Sequence, residues 1–198
     1  MAGRIAKAIE ELKLGPLRGL QRAPLYLTTP ITRVAAPDQP RYVNTVAVAQ
    51  LAPPLEPDAD AARRLVGWCK RLEVDAGRDL GAPVDSPRPL DIDLLVLGSL
   101  RVELSALSQG YQQQGSHDRH DPWWPGEIVV PHPRILQRRF VLRPLCDLLP
   151  ELQLPAAFPG EPRVEVREAL AALEPRAAEQ RVDPLPEPSV RDNMSSSS

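Results

Sequence analysis

Pro87-Arg88-Pro89-Leu90-Asp91-Ile92-Asp93-Leu94-Leu95-Val96-Leu97-Gly98 is the stretch from which the rest of the chain can be read. Asp91 and Asp93 alternate with Ile92, Leu94 and Val96. That period of two predicts a strand over 90–97 with both acids on one face. Strand rise sets their backbones roughly 7 Å apart, within reach of a shared pair of cations. Two like charges on one face need compensation, and divalent metal is the usual source. Arg88, three residues before Asp91, is the planar, permanently charged donor that a phosphate-bearing ligand favours. Taken alone, the Asp-x-Asp pattern also describes a solvated strand end or an Asx-turn.

Outward from this stretch, apolar periodicity outlines the neighbouring elements. Ile5, Ile9 and Leu12, with Ala6 and Ala8, predict an amphipathic helix that starts almost at Met1 and closes at Gly15-Pro16. A strand is expected over 20–27, then a proline-punctuated loop over 28–40, then a valine-rich strand over 42–51. Asp58 or Asp60 can cap a long helix running to about Arg78, with Leu65, Cys69, Leu72 and Ala76 on one stripe. Gly98-Ser99 turns into a short strand near 101–103. Residues 106–126 form a polar insertion whose His117, Asp118, His120 and Asp121 read as a solvated loop rather than a metal site, since no thiol accompanies them. Its Trp123-Trp124 pair either folds back as a lid or packs the loop down. Pro131-His132-Pro133 opens a helical region reaching Leu149, with Phe140, Leu142, Leu145 and Leu148 as core candidates. Beyond Leu154 the chain turns proline- and glutamate-rich. A helix is expected over 164–178, and the end in four serines is expected to be disordered. The expected division is therefore one domain over 1–155 and a proline-rich, largely disordered tail over 156–198. The order α-β-β-α-β, with helices covering one face of an antiparallel sheet, makes the fold class α+β.

Composition removes several function classes. The 198 residues carry 24 basic and 26 acidic side chains, a formal charge of −2. That gives no reason to expect nucleic acid, and no basic tract argues for a membrane surface. No apolar run approaches the ~18 residues of a membrane span and no signal peptide precedes the first helix, so a cytoplasmic protein is expected. The two cysteines, Cys69 and Cys146, sit in apolar helical contexts and read as buried thiols rather than a disulfide.

Taken together, the acidic stretch, Glu73 and Arg78 ahead of it and Pro131-His132-Pro133-Arg134 behind it resemble the 6-hydroxymethyl-7,8-dihydropterin pyrophosphokinase family of folate biosynthesis. The family's signature is a Pro-Arg pair, two residues, then Asp-x-Asp followed by aliphatics; Pro87 to Leu95 meet it. The resemblance covers roughly residues 4–155. It implies a ferredoxin-like α/β sandwich with an antiparallel sheet, and transfer of the pyrophosphoryl group of ATP to the pterin, giving AMP and the pterin diphosphate. It also implies residue roles. Asp91 and Asp93 would bind two magnesium ions, and Arg78 and Arg88 would serve the phosphates and the catalytic step. Glu73, His132 and Arg138 would contact ATP, with Arg139 a lower-ranked competitor of Arg138. Thr29, Pro30, Tyr42, Asn44 and Phe140 would form the pterin slot, with Asp38-Gln39-Pro40 leading into its strand. The partners the resemblance implies are ATP and 6-hydroxymethyl-7,8-dihydropterin, with a functional link to dihydropteroate synthase left open by the sequence.

Three departures stand beside the resemblance. The family's opening strand, which ends in Gly-Ser-Asn, does not precede the first helix, so the sheet is expected to lack its first strand. Asp85 stands where the family has a second stacking aromatic. The loop between Pro30 and Tyr42 is about two residues longer. These departures support the alternative of a truncated or catalytically impaired relative that binds nucleotide or pterin, or acts as an interaction module. A nucleotide-sugar transferase site is a third reading of Asp-x-Asp that no other residue supports.

Overall fold

The computed structural model describes residues 2–31, 40–81, 88–106, 126–154 and 162–186. Helix α1 covers Ala2–Leu14 and buries Ala8 and Leu12. Behind it, the strand expected over 20–27 is two strands, β1 (Leu17–Arg22) and β2 (Tyr26–Thr28). The strand expected over 42–51 is likewise two, β3 (Tyr42–Asn44) and β4 (Ala47–Leu51). Both breaks have one cause. Pro24 has no N–H to give a ladder, so the two arms pair as β1 with β4 and β2 with β3, antiparallel in each case. Between them the Ala23 N–H still reaches the Val46 carbonyl at 2.9 Å, so the ribbon bends without parting. A bulge bends it further. Arg18 faces Gln50 and Gln21 faces Val48, three steps against two, and Gly19 absorbs the extra residue at φ 61°.

Helix α2 (Ala59–Asp75) starts at Asp58, whose carboxylate accepts the Ala61 N–H at 2.7 Å. It stops before Arg78, the residue expected at its end. Leu65, Cys69 and Leu72 are buried along one stripe, as the periodicity predicts. Leu12, Cys69 and Leu72 make one apolar cluster with Ile9, Trp68 and Ile92, so α1 and α2 together cover the side chain between the two acids. Both cysteines are free, and burial pushes the Cys69 thiol up to about 12.

The acidic stretch departs from expectation. Among the described residues no strand pairs with 90–97, and it makes no ladder. A strand is a cooperative object that needs a neighbour, and alternation in sequence supplies only half of it. Three separate contacts hold the backbone instead: the Ile92 N–H to Glu73, the His132 N–H to the Leu95 carbonyl, and a turn from the Leu100 N–H to the Leu97 carbonyl.

Strands β5 (Val102–Leu104) and β6 (Ile128–Val130) form an antiparallel pair, and the expected 106–126 insertion falls between them in the chain. Buried Arg63 of α2 donates to the carbonyls of Ser105 and Gly126, both at 3.1 Å, and holds the two ends together. His117, Asp118, His120, Asp121, Trp123 and Trp124 lie outside the described residues, as do Asp38, Gln39, Asp85 and Pro87.

The helical region expected after Pro131 divides into a 3-10 turn (Ile135–Gln137) and α3 (Arg139–Leu148). Val141, Leu142 and Leu145 enter the largest core cluster, while Phe140 packs at its edge. The chain beyond Leu154 is not simply a tail. Strand β7 (Gln153–Leu154) pairs with β8 (Val164–Glu165), and α4 (Val166–Ala172) buries Val166, Ala169 and Leu170 against α3. The helix expected over 164–178 is thus shorter, and a 3-10 turn (Glu174–Arg176) follows it. Strand β9 (Val182–Pro184) then pairs with β2, giving the order β3-β2-β9. The fold class is α+β, with small antiparallel sheets and, among the described residues, four α-helices. No described helix is long and apolar enough to cross a membrane.

Candidate active site

Glu73 comes first, because it is fully buried and charged. A lone buried carboxylate is strongly disfavoured, so its partners define the local architecture. Lys70, one turn back on α2, donates to it at 2.9 and 3.1 Å. Arg78 donates at 2.6 Å, and the Ile92 backbone N–H donates at 2.6 Å. Glu73 therefore fastens α2 to the peptide between Asp91 and Asp93. Its place fits the expected neighbourhood, but its oxygens are already engaged by protein, which makes it a support for the site.

Asp91 lies beside this buried group. Its two oxygens are shared between Arg78 at 2.5 Å and Arg88 at 2.6 Å. Burial acts to raise the Asp91 carboxyl, but the charge and hydrogen bond of Arg88, with Arg78 and Lys70, outweigh it and hold it below the usual carboxylate range. Arg88 is shifted in turn. Burial works to lower its pKa, and Asp91, Asp93 and Glu73 more than reverse that. Arg78 links the buried acid to the outer one and belongs to both pairs.

Asp93 faces a second set of groups. Arg138 lies 3.5 Å from its Oδ2, and the His132 Nε2 lies 3.8 Å away. The His132 Nδ1 accepts the Arg134 N–H at 3.1 Å, so the neutral ring carries its proton on Nε2, toward Asp93. Burial pushes the His132 pKa down, and Arg138 and Arg134 add to that against the opposing charge of Asp93. The Arg138 guanidinium stands 5.4 Å from the centre of the Phe140 ring. Its pKa is also lowered, by burial first and then by Arg134. The two halves belong to one electrostatic cluster: Arg88 feels both aspartates, and Arg138 feels both aspartates and Arg88.

Arg138 and Arg139, adjacent and equally basic, separate here. Arg138 turns to Asp93, while Arg139 turns away to Glu174 at 3.2 Å and to the Gln180 carbonyl at 3.4 Å.

The residues expected to hold a pterin lie on and beside the β2–β3 pair. Tyr42 and Asn44 are two apart on β3, and the Asn44 amide donates to the Thr28 hydroxyl at 2.7 Å. Thr29 donates through its hydroxyl to the Glu179 carbonyl at 3.2 Å, and Pro30 beside it is half-buried. Phe140 packs on the cluster that holds Val46, Val48, Leu95 and Val96. That cluster joins the ribbon, the acidic stretch and α3.

Magnesium takes one or two carboxylates and completes its octahedron with water and substrate phosphate. Among the described residues no group of three His, Cys, Asp or Glu side chains gathers as a closed metal cage. Asp91 and Asp93 instead offer two hard-oxygen donors, with side chains 31% and 39% exposed and arginines beside each. That donor set fits an ion brought in with a phosphate chain.

Lys70 and Gln180 were not among the residues singled out from sequence. Lys70 lies three residues before Glu73, a spacing that puts both on one helix face and could have shown the pair. Gln180 is more than forty residues from anything it touches in the site, and no local pattern points to it.

A family model described as 7,8-dihydro-6-hydroxymethylpterin-pyrophosphokinase (HPPK) matches residues 1–150. The mitochondrial folate synthesis bifunctional protein of Arabidopsis thaliana is 32% identical over 145 residues, which are 72% of this chain and 20% of that protein. Its counterpart from Pisum sativum is 33% identical over 145 residues, 71% of this chain and 22% of that protein. A 2-amino-4-hydroxy-6-hydroxymethyldihydropteridine pyrophosphokinase of Pseudomonas aeruginosa is 34% identical over 137 residues, 67% of this chain and 62% of that protein. The chain thus spans about a fifth of the plant relatives and about three fifths of the bacterial one.

Proposed function

Because this chain belongs to the 7,8-dihydro-6-hydroxymethylpterin-pyrophosphokinase family, we propose that it carries out pyrophosphoryl transfer from ATP to 6-hydroxymethyl-7,8-dihydropterin. In this reaction the pterin hydroxyl oxygen bonds to the β-phosphorus. The bond from that phosphorus to the oxygen bridging it to the α-phosphate breaks, AMP departs with that oxygen, and the hydroxyl proton is released. The observation that carries the reading is the double cage of charge, Asp91 between Arg78 and Arg88 and Asp93 beside His132 and Arg138.

Transfer between phosphate oxygens is won by positioning and charge stabilisation. Arg78 and Arg88 exchange Asp91 for phosphate oxygens when ATP arrives and act as the catalytic arginines. His132 and Arg138 bind the nucleotide from the other side, and Glu73 assists by holding Arg78 and the Ile92 peptide. Asp91 and Asp93 would hold two magnesium ions, which when bound neutralise the phosphate charge. Thr29, Pro30, Tyr42, Asn44 and Phe140 form the pterin slot, Phe140 giving its ring and Asn44 a polar edge.

For the fold, we take the family's ferredoxin-like sandwich, supported by two helices over a bent antiparallel ribbon. In that arrangement a further strand lies beside residues 90–97, where no described strand pairs. Residues 1–155 carry the family's domain, with 106–126 falling between β5 and β6 in the chain, and the later described segments pack on it and complete its core. The relatives named as bifunctional folate synthesis proteins support a functional link to dihydropteroate synthase. The cytoplasm is our reading of location, with mitochondria the alternative that the plant names raise.

The test is product analysis with ATP and magnesium, with and without the pterin. AMP and pterin diphosphate in equal amounts, only when the pterin is present, is the expected result. Binding of ATP or pterin by calorimetry with no AMP formed would instead establish the non-catalytic relative.

A further inference from the structure

The side chain of Gln180 spans one residue of the site as a strand partner would. Its Oε1 accepts the Arg139 N–H at 2.8 Å, and its Nε2 donates to the Gln137 carbonyl at 3.1 Å. The residue between those two groups is Arg138, extended at φ −117° and ψ 103°. Arg138 ends the 3-10 turn and precedes α3, a joint where neither helix dictates its conformation. It has no capping side chain of its own, while its carbonyl accepts from Val141 and Leu142. The Arg139 N–H is one of the donors that every helix start leaves without an internal partner. Gln180 supplies that partner from more than forty residues away in the chain.

The surroundings make the clamp stiff. The Gln180 N–H is tied to the Arg176 carbonyl at 3.0 Å, and Arg139 binds the Gln180 carbonyl and Glu174. On its far side the chain enters β9, whose ladder with β2 continues to Thr28 opposite Val182. The peptide on either side of Arg138 is thus held by a segment that is itself anchored to the ribbon of Tyr42 and Asn44. Arg138 points to Asp93 because its neighbours are held, and Arg139 points away because its own partners are on the same segment.

We propose that Gln180 is a positioning residue for nucleotide binding: through the Gln137–Arg139 backbone it fixes Arg138 over Phe140 and toward Asp93. This rests on the functional reading above for its kinetic consequence and on geometry alone for its structural one. A side chain that orients a ligand-contacting group is worth about ten- to a hundredfold in comparable sites.

The experiment uses the full chain with Gln180→Ala and Gln180→Glu. The glutamate variant keeps the acceptor for Arg139, loses the donor to Gln137, and safeguards the test if the alanine variant does not fold. Arg138 above an aromatic ring has upfield-shifted side-chain protons, a signal assigned by its loss in Arg138→Lys. Gln180→Ala should move that signal toward its random-coil position, with Gln180→Glu between it and the parent. In turnover, KM for ATP should rise about tenfold in Gln180→Ala, with KM for the pterin within about twofold of the parent. An unmoved Arg138 signal in the folded variants would overturn the inference. So would a fall in melting temperature with ATP affinity retained, since that outcome makes Gln180 a packing residue. The spectroscopic arm needs no turnover: a parent protein without pterin-dependent AMP refutes the functional reading and leaves the Arg138 signal to decide this one.

Discussion

At the scale of single residues, the two aspartates differ in what removal should cost. Asp93 is partly exposed and meets its partners at 3.5 and 3.8 Å, the range in which ion pairs contribute about 0–1 kcal/mol to stability. Asp93→Ala should therefore melt close to the parent while AMP formation falls about a hundredfold or more; near-parent turnover would remove it from the metal set. Glu73 is the opposite case. Glu73→Gln leaves Lys70 and Arg78 facing an uncharged group in a buried place, and urea unfolding should register a loss of about 3 kcal/mol. A change below about 1 kcal/mol would mean the network is wetter than its geometry implies. His132 offers a check on charge. Its pKa is depressed below the ordinary 6.5, so the unfolded chain takes up the proton first as pH falls. The stability associated with this group is full above about pH 6.5 and diminishes below it, until the folded ring also protonates. NMR titration should give a midpoint under 6.5, lower still in Asp93→Asn and higher in Arg138→Ala.

At the scale of elements, the joint between β2 and α3 is held by one polar contact set. The Tyr26 hydroxyl donates to Asp147 at 2.5 Å and accepts from Arg143 at 3.3 Å, on a side chain that is nearly buried. Tyr26→Phe should cost about 1.5 kcal/mol, the range for a hydrogen bond to a charged group. Burial and Asp147 raise the Tyr26 pKa above 10. The unfolded phenol ionises first as pH rises, so this contribution is present below about pH 10 and is lost above it. Comparing alkaline melts of the parent and Tyr26→Phe measures it; parallel curves would count against the contact. The elements also show where sequence reading succeeds. The caps and stripe of α2 were legible because Asp58, Leu65, Cys69 and Leu72 are local signals of one helix. The breaks at Ala23–Leu25 and Thr45–Val46 were half legible: Pro24 announces the first, while the second exists only because the opposite arm bends there. The acidic stretch looked like a strand because alternation is local, but pairing is not.

At the scale of the whole molecule, the end of the chain matters more than its composition suggests. Val166, Leu170 and Leu173 are buried in the cluster of Leu142 and Leu145, and each such side chain is worth about 1.5–3 kcal/mol. Their sum approaches the 5–15 kcal/mol that holds a typical domain together. A chain ending at residue 155 should therefore lose its cooperative thermal transition by circular dichroism; an unchanged melt would show that the later segments only decorate the fold. By itself the sequence pointed to the family and to most of the charge cluster, because Asp91, Asp93, Arg78, Arg88 and His132 stand at the positions the resemblance names. It also determined the helix faces, which repeat within a few residues. Tertiary structure alone decided that Glu73 is a buried brace, that Arg138 rather than its neighbour faces Asp93, and that Gln180 holds it there. Those are choices among chemically equal partners, made by contacts between residues 19 to 45 apart in the chain, and such contacts leave no local trace.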